Sequence, residues 1–222
     1  MGDVAGGADF LRSLLASRPD SPVFRETLGD YLDRWGTEVY ENREVDRAIG
    51  ILEEAQPLVP GRVSTLRTLT FALNDKKEYA TAVIYAEKWL TLEDTPDVRA
   101  VLGEIYAGAY DLDRAIPMLQ SAAGTVAEEQ RIILLGRCFM EKGQLDLAIE
   151  TLKQGPVNKR KMDPQVIEAK YWLGVAYLKA GQKAKAKTQL AKVYAEDVNY
   201  KEIKQLAAEV GLTGSDGRRF TL

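Results

Sequence analysis

Histidine is missing altogether from these 222 residues, and cysteine occurs once, at Cys138. Without histidine the chain lacks the commonest general acid–base group and the commonest biological metal ligand. A single thiol forms no internal disulfide, which fits a cytoplasmic setting. One thiol and no imidazole also rule out a structural zinc cage or a Cys–His nucleophile pair within this chain. The glycine-rich phosphate loop GxxxxGK[S/T], the dinucleotide fingerprint GxGxxG and the nucleophile elbow GxSxG are absent as well. These gaps point away from an enzyme, and away from a cofactor, a metal or a small-molecule substrate. No apolar run approaches the roughly 18 residues of a membrane span. The Gly-rich opening Met1–Asp9 has no basic stretch leading into an apolar one, so it does not read as a secretory signal. Met1-Gly2 is compatible with an added start on a piece of a longer chain.

What is present is a core-forming composition, 45% hydrophobic and 28% charged, with few aromatics at 8%. Alanine and leucine are plentiful and β-branched runs are short, a mixture that favours helix. The strongest signal is internal repetition. One unit runs Tyr171-Trp-Leu-Gly-Val-Ala-Tyr177, then Gly181, Ala186, Leu190 and Val193. Upstream copies read Leu135-Gly-Arg-Cys-Phe139 with Gly143, Ala148 and Leu152, and Leu102-Gly-Glu-Ile-Tyr106 with Tyr110, Ala115 and Leu119. A more degenerate copy reads Leu69-Thr-Phe-Ala-Leu73 with Lys77, Ala82, Ala86 and Trp89. The matching alanines Ala82, Ala115, Ala148 and Ala186 lie 33, 33 and 38 residues apart.

This pattern resembles the tetratricopeptide repeat family over roughly residues 22 to 197. The resemblance implies an all-α fold, a right-handed superhelical solenoid of about five antiparallel helix pairs (A then B) with flanking helices at both ends. The family's tryptophan near the start of helix A is absent; Arg25, Leu66, Arg99, Ile132 and Lys170 stand in its place. The small residues belong where helices A and B cross, and apolar residues at 3- and 4-residue spacing form the stripe that each helix buries. One pair cannot cover its own stripe, so neighbours must stack.

The expected organisation is a tail and short helix over 1–21, then repeats over 22–62, 63–95, 96–128, 129–162 and 163–197. A closing helix over Asn199–Gly211 and a loose tail, Thr213–Leu222, complete residues 198–222. Ser21-Pro22, Thr95-Pro96 and Asp163-Pro164 each set a capping side chain before a proline at the first helical position. Thr125 with Glu128 reads as a capping box. The first repeat carries seven extra residues, about two turns, which predicts one long helix over 22–42. Phe10, Leu11, Leu14 and Leu15 form an amphipathic helix ahead of it, and Trp35, Trp89 and Cys138 are expected in the core.

In this family helix A lines the concave surface, so the resemblance implies a partner-binding groove drawn from Arg67, Phe71, Asn74, Glu104, Arg137, Glu141, Tyr171, Trp172 and Lys179. Tyr171 and Trp172 are its sharpest feature: an anchor for a partner's apolar side chain, or packing beneath the Gly155–Met162 connection or a neighbouring pair. The family's Lys/Asn/Arg clamp for a chaperone tail is not matched, since Asp30, Asp33 and Thr37, or Arg67 and Phe71, occupy its first positions. Charge is uneven: residues 1–111 hold 20 acidic and 12 basic side chains (−8), and residues 112–222 hold 13 and 18 (+5). Such a dipole could steer an acidic partner or drive self-association. The function implied is a protein-interaction scaffold or adaptor for a peptide or helix. The rivals are a self-associating homo-oligomeric module and a nucleic-acid binder at the basic end. Against the last stand a pI near 5.3 and lysines not interleaved with aromatics.

Overall fold

A computed structural model describes residues 4–212. It is all-α: twelve helices and one 3-10 turn among the described residues, with no strand. The chain divides into two compact units, residues 1–111 and 112–222. The expected tail Thr213–Leu222 lies outside the described residues.

The first unit holds α1 (Val4–Ser17), α2 (Pro22–Glu41), α3 (Val45–Ala55), α4 (Val63–Asp75), α5 (Tyr79–Leu92) and α6 (Pro96–Gly108). The second holds α7 (Leu112–Ser121), α8 (Glu128–Glu141), α9 (Leu145–Gln154), α10 (Pro164–Lys179), α11 (Lys183–Glu196) and α12 (Ile203–Glu209). Helix α2 is the long helix that the seven-residue insertion predicts.

Three A helices begin as their sequences dictate. Ser21, Thr95 and Asp163 accept the backbone N–H of Phe24, Val98 and Val166 at 3.3, 3.3 and 2.9 Å, each with proline next in line. The capping box at Thr125 does not form. Helix α8 starts two residues later than that box requires, its N-cap Ala127 makes no side-chain cap, and Glu128 accepts the N–H of Gly124.

Every A helix ends in the same crossed pair of hydrogen bonds. Thus Arg43 N–H reaches Tyr40 O (2.9 Å) and Glu44 N–H reaches Val39 O (3.1 Å), and the arrangement recurs after α4, α6, α8 and α10. This closure needs one residue with positive φ. Gly143 and Gly181 supply it after α8 and α10, whereas Arg43, Lys77 and Tyr110 adopt φ of 60–66° after the other three.

Within the pairs, close approach is set by one small residue. A Cβ on Gly36, Gly136 or Gly174 would fall 2.5, 2.5 or 2.6 Å from Leu52, Leu152 or Leu190, so the bare backbone receives the leucine of helix B. The α4–α5 pair departs from this. Thr70 holds the glycine position and Ala86 the leucine position, and both are fully buried. The Thr70 hydroxyl, which would otherwise be an orphan, donates to Leu66 O at 2.7 Å. Leu66, Trp89 and Val98 form a core against which Phe71, Tyr85 and Val101 pack.

Several packing expectations need correction. Trp89 and Cys138 are buried, but Trp35 is only half-buried, with Arg47 5.5 Å above its ring. Helix α1 packs on α2 and buries Ala8 completely, while Phe10 is 62% exposed. The closing helix α12 is shorter than Asn199–Gly211, because Lys201 takes a φ of 43° that a continuing helix does not allow.

Candidate functional site on the A helices

In the first unit the face shared by α2 and α4 is stitched by hydroxyls and carboxylates. Asp33, buried, accepts Ser64 Oγ (2.7 Å) on one oxygen and Thr65 Oγ1 (2.6 Å) on the other. Above and below it Arg62 pairs with Asp30, Thr37 and Thr68 hydroxyls meet at 3.4 Å, and Tyr40 donates to Asp75 at 2.8 Å. Asp30, Asp33 and Thr37, one of the two sets at the absent clamp's first positions, are therefore engaged in holding two helices together. Of the expected groove residues here, Arg67 and Glu104 are exposed, and half-buried Asn74 reaches Glu104 at 3.4 Å. Phe71 is half-buried in a T-shaped pair with Trp89, ring centroids 5.9 Å apart, so it serves the core.

In the second unit the corresponding face of α8 and α10 is built from cations and arenes. The Arg137 guanidinium lies 4.7 Å above the Trp172 ring, and Lys201 Nζ lies 4.7 Å from the same ring. Trp172 Nε1 donates to Glu168 (3.1 Å), which also receives Lys201 (3.3 Å). The indole is thus fixed at its nitrogen and flanked by charge while it stays half-buried. Glu141 and Lys179 lie on the same two helices, both exposed.

Tyr171 differs from its groove assignment. It is 3% exposed, covered by Tyr200 (centroids 5.4 Å), and its hydroxyl donates to Glu202 at 2.7 Å. Burial first, and then the Glu202 carboxylate, push its phenol well above the ordinary tyrosine range, while the bond from Tyr171 holds the Glu202 carboxyl down. Its cover is the turn before α12 and not the Gly155–Met162 connection. Tyr200, Lys201 and Glu202 were not among the residues expected here. The one hint of them in the sequence is an aromatic–basic–acidic triplet that begins four residues after the last B helix ends.

Cys138 is 2% exposed, and desolvation pushes its thiol up to about 11, so it remains protonated and unreactive at neutral pH. Among the described residues no three His, Cys, Asp or Glu side chains converge as a metal site, and no helix is long and apolar enough to cross a membrane.

Tetratricopeptide repeat models match residues 106–166 and 168–197. No curated protein matches the chain. Among solved structures, it is similar to YrrB, a TPR protein with an unusual peptide-binding site, at 18% identity and a TM-score of 0.63 over 92% of this chain and 98% of that one. PilW, a type IV pilus biogenesis factor, gives 16% identity and a TM-score of 0.68 over 83% and 84% of the two chains. MamA from Desulfovibrio magneticus RS-1 gives 20% identity and 0.67 over 75% and 93%. At these identities the likeness is one of fold.

Proposed function

The chain belongs to the tetratricopeptide repeat family, and on that footing we propose that it is a non-catalytic adaptor whose α8–α10 face holds a peptide or helix of a partner protein. Repeat arrays of this kind are protein-interaction modules, and YrrB, a similar array, has a peptide-binding site. The observation that carries the reading is Trp172. A large ring is locked by Glu168 and Arg137, yet it stays only half-buried. A pre-positioned arene loses little rotamer entropy when it is covered, which is what a hot spot needs.

Arg137 and Lys201 around it, with Lys179 and Glu141 exposed further along the same two helices, favour a partner segment that sets an apolar side chain next to a carboxylate. In the first unit Arg67, Asn74 and Glu104 are further candidate contacts, and half-buried Phe71 contributes less. Tyr171 acts beneath the site, holding the turn that carries Lys201.

The test is a partner that co-purifies with the protein and is then rebuilt with it from purified components. Trp172→Ala and Arg137→Ala should each weaken that complex about tenfold or more, with the helical content of the free protein unchanged. Full affinity in both variants would take the α8–α10 face out of the function.

A further inference from the structure

The connection between α9 and α10 roofs a cleft that the adaptor reading leaves unused. Pro156 and Val157 of the 3-10 turn (Pro156–Asn158) are buried, and the segment then continues through Lys159 and Arg160 in the open. Together with Lys170 of α10 and Lys192 of α11, these residues line a cavity of about 480 Å³. Four cations face it, and no carboxylate lines it. Lys159 is answered from outside by Glu129, while among the described residues no ion pair is found for Arg160, Lys170 or Lys192.

Lys170 is the telling member. It stands where the family places a tryptophan, and it is 3% exposed. Its ammonium donates to the carbonyl of Val157, which leaves two protons and the full charge without an anionic partner. Burial, and then the like charge of Lys192, make that ammonium easier to deprotonate than an ordinary lysine. A methionine would fill the same space without the penalty of a buried uncompensated charge. An arrangement that accepts this penalty, and sets a second lysine against the first, is complete only with an anion between them.

We propose that this cleft is an oxyanion site that receives the phosphate of a phosphorylated side chain on a partner peptide. Three unmatched cations call for more than the single charge of a carboxylate. A phosphate monoester brings roughly −1.5 to −2 at neutral pH and three acceptor oxygens. Arg160 can grip two of those oxygens side by side, and the lysines act as point charges behind them. The cleft shares no residue with the Arg137–Trp172 cluster, so either site can fail while the other stands.

The experiment titrates the whole protein with inorganic phosphate at constant ionic strength and follows backbone amide resonances. Saturable shifts are expected at residues 157–162 and around Lys170 and Lys192. Lys170→Met should weaken them about tenfold. Arg160→Ala, at an exposed position with no ion pair among the described residues, should do the same. Shifts that never saturate, that involve surface lysines such as Lys183 and Lys204 equally, or that survive both substitutions would overturn the site.

A second arm uses one fluorescent peptide in three versions, with phosphoserine, glutamate or serine at its centre. Phosphoserine is expected to bind about tenfold or more above glutamate, with serine inert. Equal binding by the glutamate peptide would overturn the assignment to phosphate. Tighter binding by a single-stranded oligonucleotide at the same residues would overturn the assignment to a peptide.

Discussion

Between α2 and α4 the side chains that meet are Asp33, Ser64, Thr65, Thr37 and Thr68; between α8 and α10 they are Arg137 and Trp172. Both are seams between successive A helices, and the chemistry of each decides what it can offer. The first spends its acceptors on its own hydroxyls: both oxygens of Asp33 are occupied and the residue is buried. Such a seam rigidifies the stack and has little left for a partner. The second joins through a ring face and a guanidinium, a contact that tolerates being shared and leaves the indole partly open. One repeat position thus serves as fastener in one unit and as candidate contact in the other.

The contrast breaks most readily at Asp33. Asp33→Ala strands two hydroxyls in a buried seam and should cost about 2–3 kcal/mol in urea unfolding. Trp172→Ala should cost less than that in stability, with its main effect on partner affinity. An equal or larger stability loss at Trp172 would make both seams structural. Next in size is Tyr171→Phe, which removes one hydrogen bond to a carboxylate. The expected loss is about 1 kcal/mol, with faster amide exchange in residues 200–209 than elsewhere; unchanged exchange there would mean that Tyr171 does not hold the turn beneath Lys201. The smallest effect is a gain. Lys77→Gly and Tyr110→Gly relieve side chains held at φ near 60°, and each should raise stability by up to about 1 kcal/mol. Gly143→Ala and Gly181→Ala should lower it by a similar amount. A loss in all four would show that the turn is held by something other than its backbone conformation.

The helix pairs were legible because their signals are local. Proline after a capping residue, and small residues at one period, place α2, α6 and α10 within a residue of where they lie. The doubled spacing from Gly29 and Gly36 foretold the length of α2 for the same reason. What escaped depends on contacts between segments far apart in sequence. Nothing near Tyr171 signals that Tyr200 will cover it, and a lysine at position 170 reads as solvated until the 155–162 connection is seen to close over it. Phe10 has helical spacing on its side, yet Ala8 is the residue that α1 buries. The positive φ of Arg43, Lys77 and Tyr110 is hidden because glycine marks that turn in only two pairs. At those three, the hydrogen bonds of the closure outweigh the strain of a side chain.

The exchange of Thr70 and Ala86 for the glycine and leucine used elsewhere has a consequence for assembly. Helix A of one pair carries the cavity that helix B of the same pair fills, so each correct partner is matched in volume. Joining α4 to α9 or α11 would drive a threonine into a leucine, and joining α8 or α10 to α5 would leave a hollow where a leucine belongs. In a chain built from near-copies, where any A could in principle meet any B, this inversion marks one pair as incompatible with the others. It acts as a proofreading rule for which helices fold together.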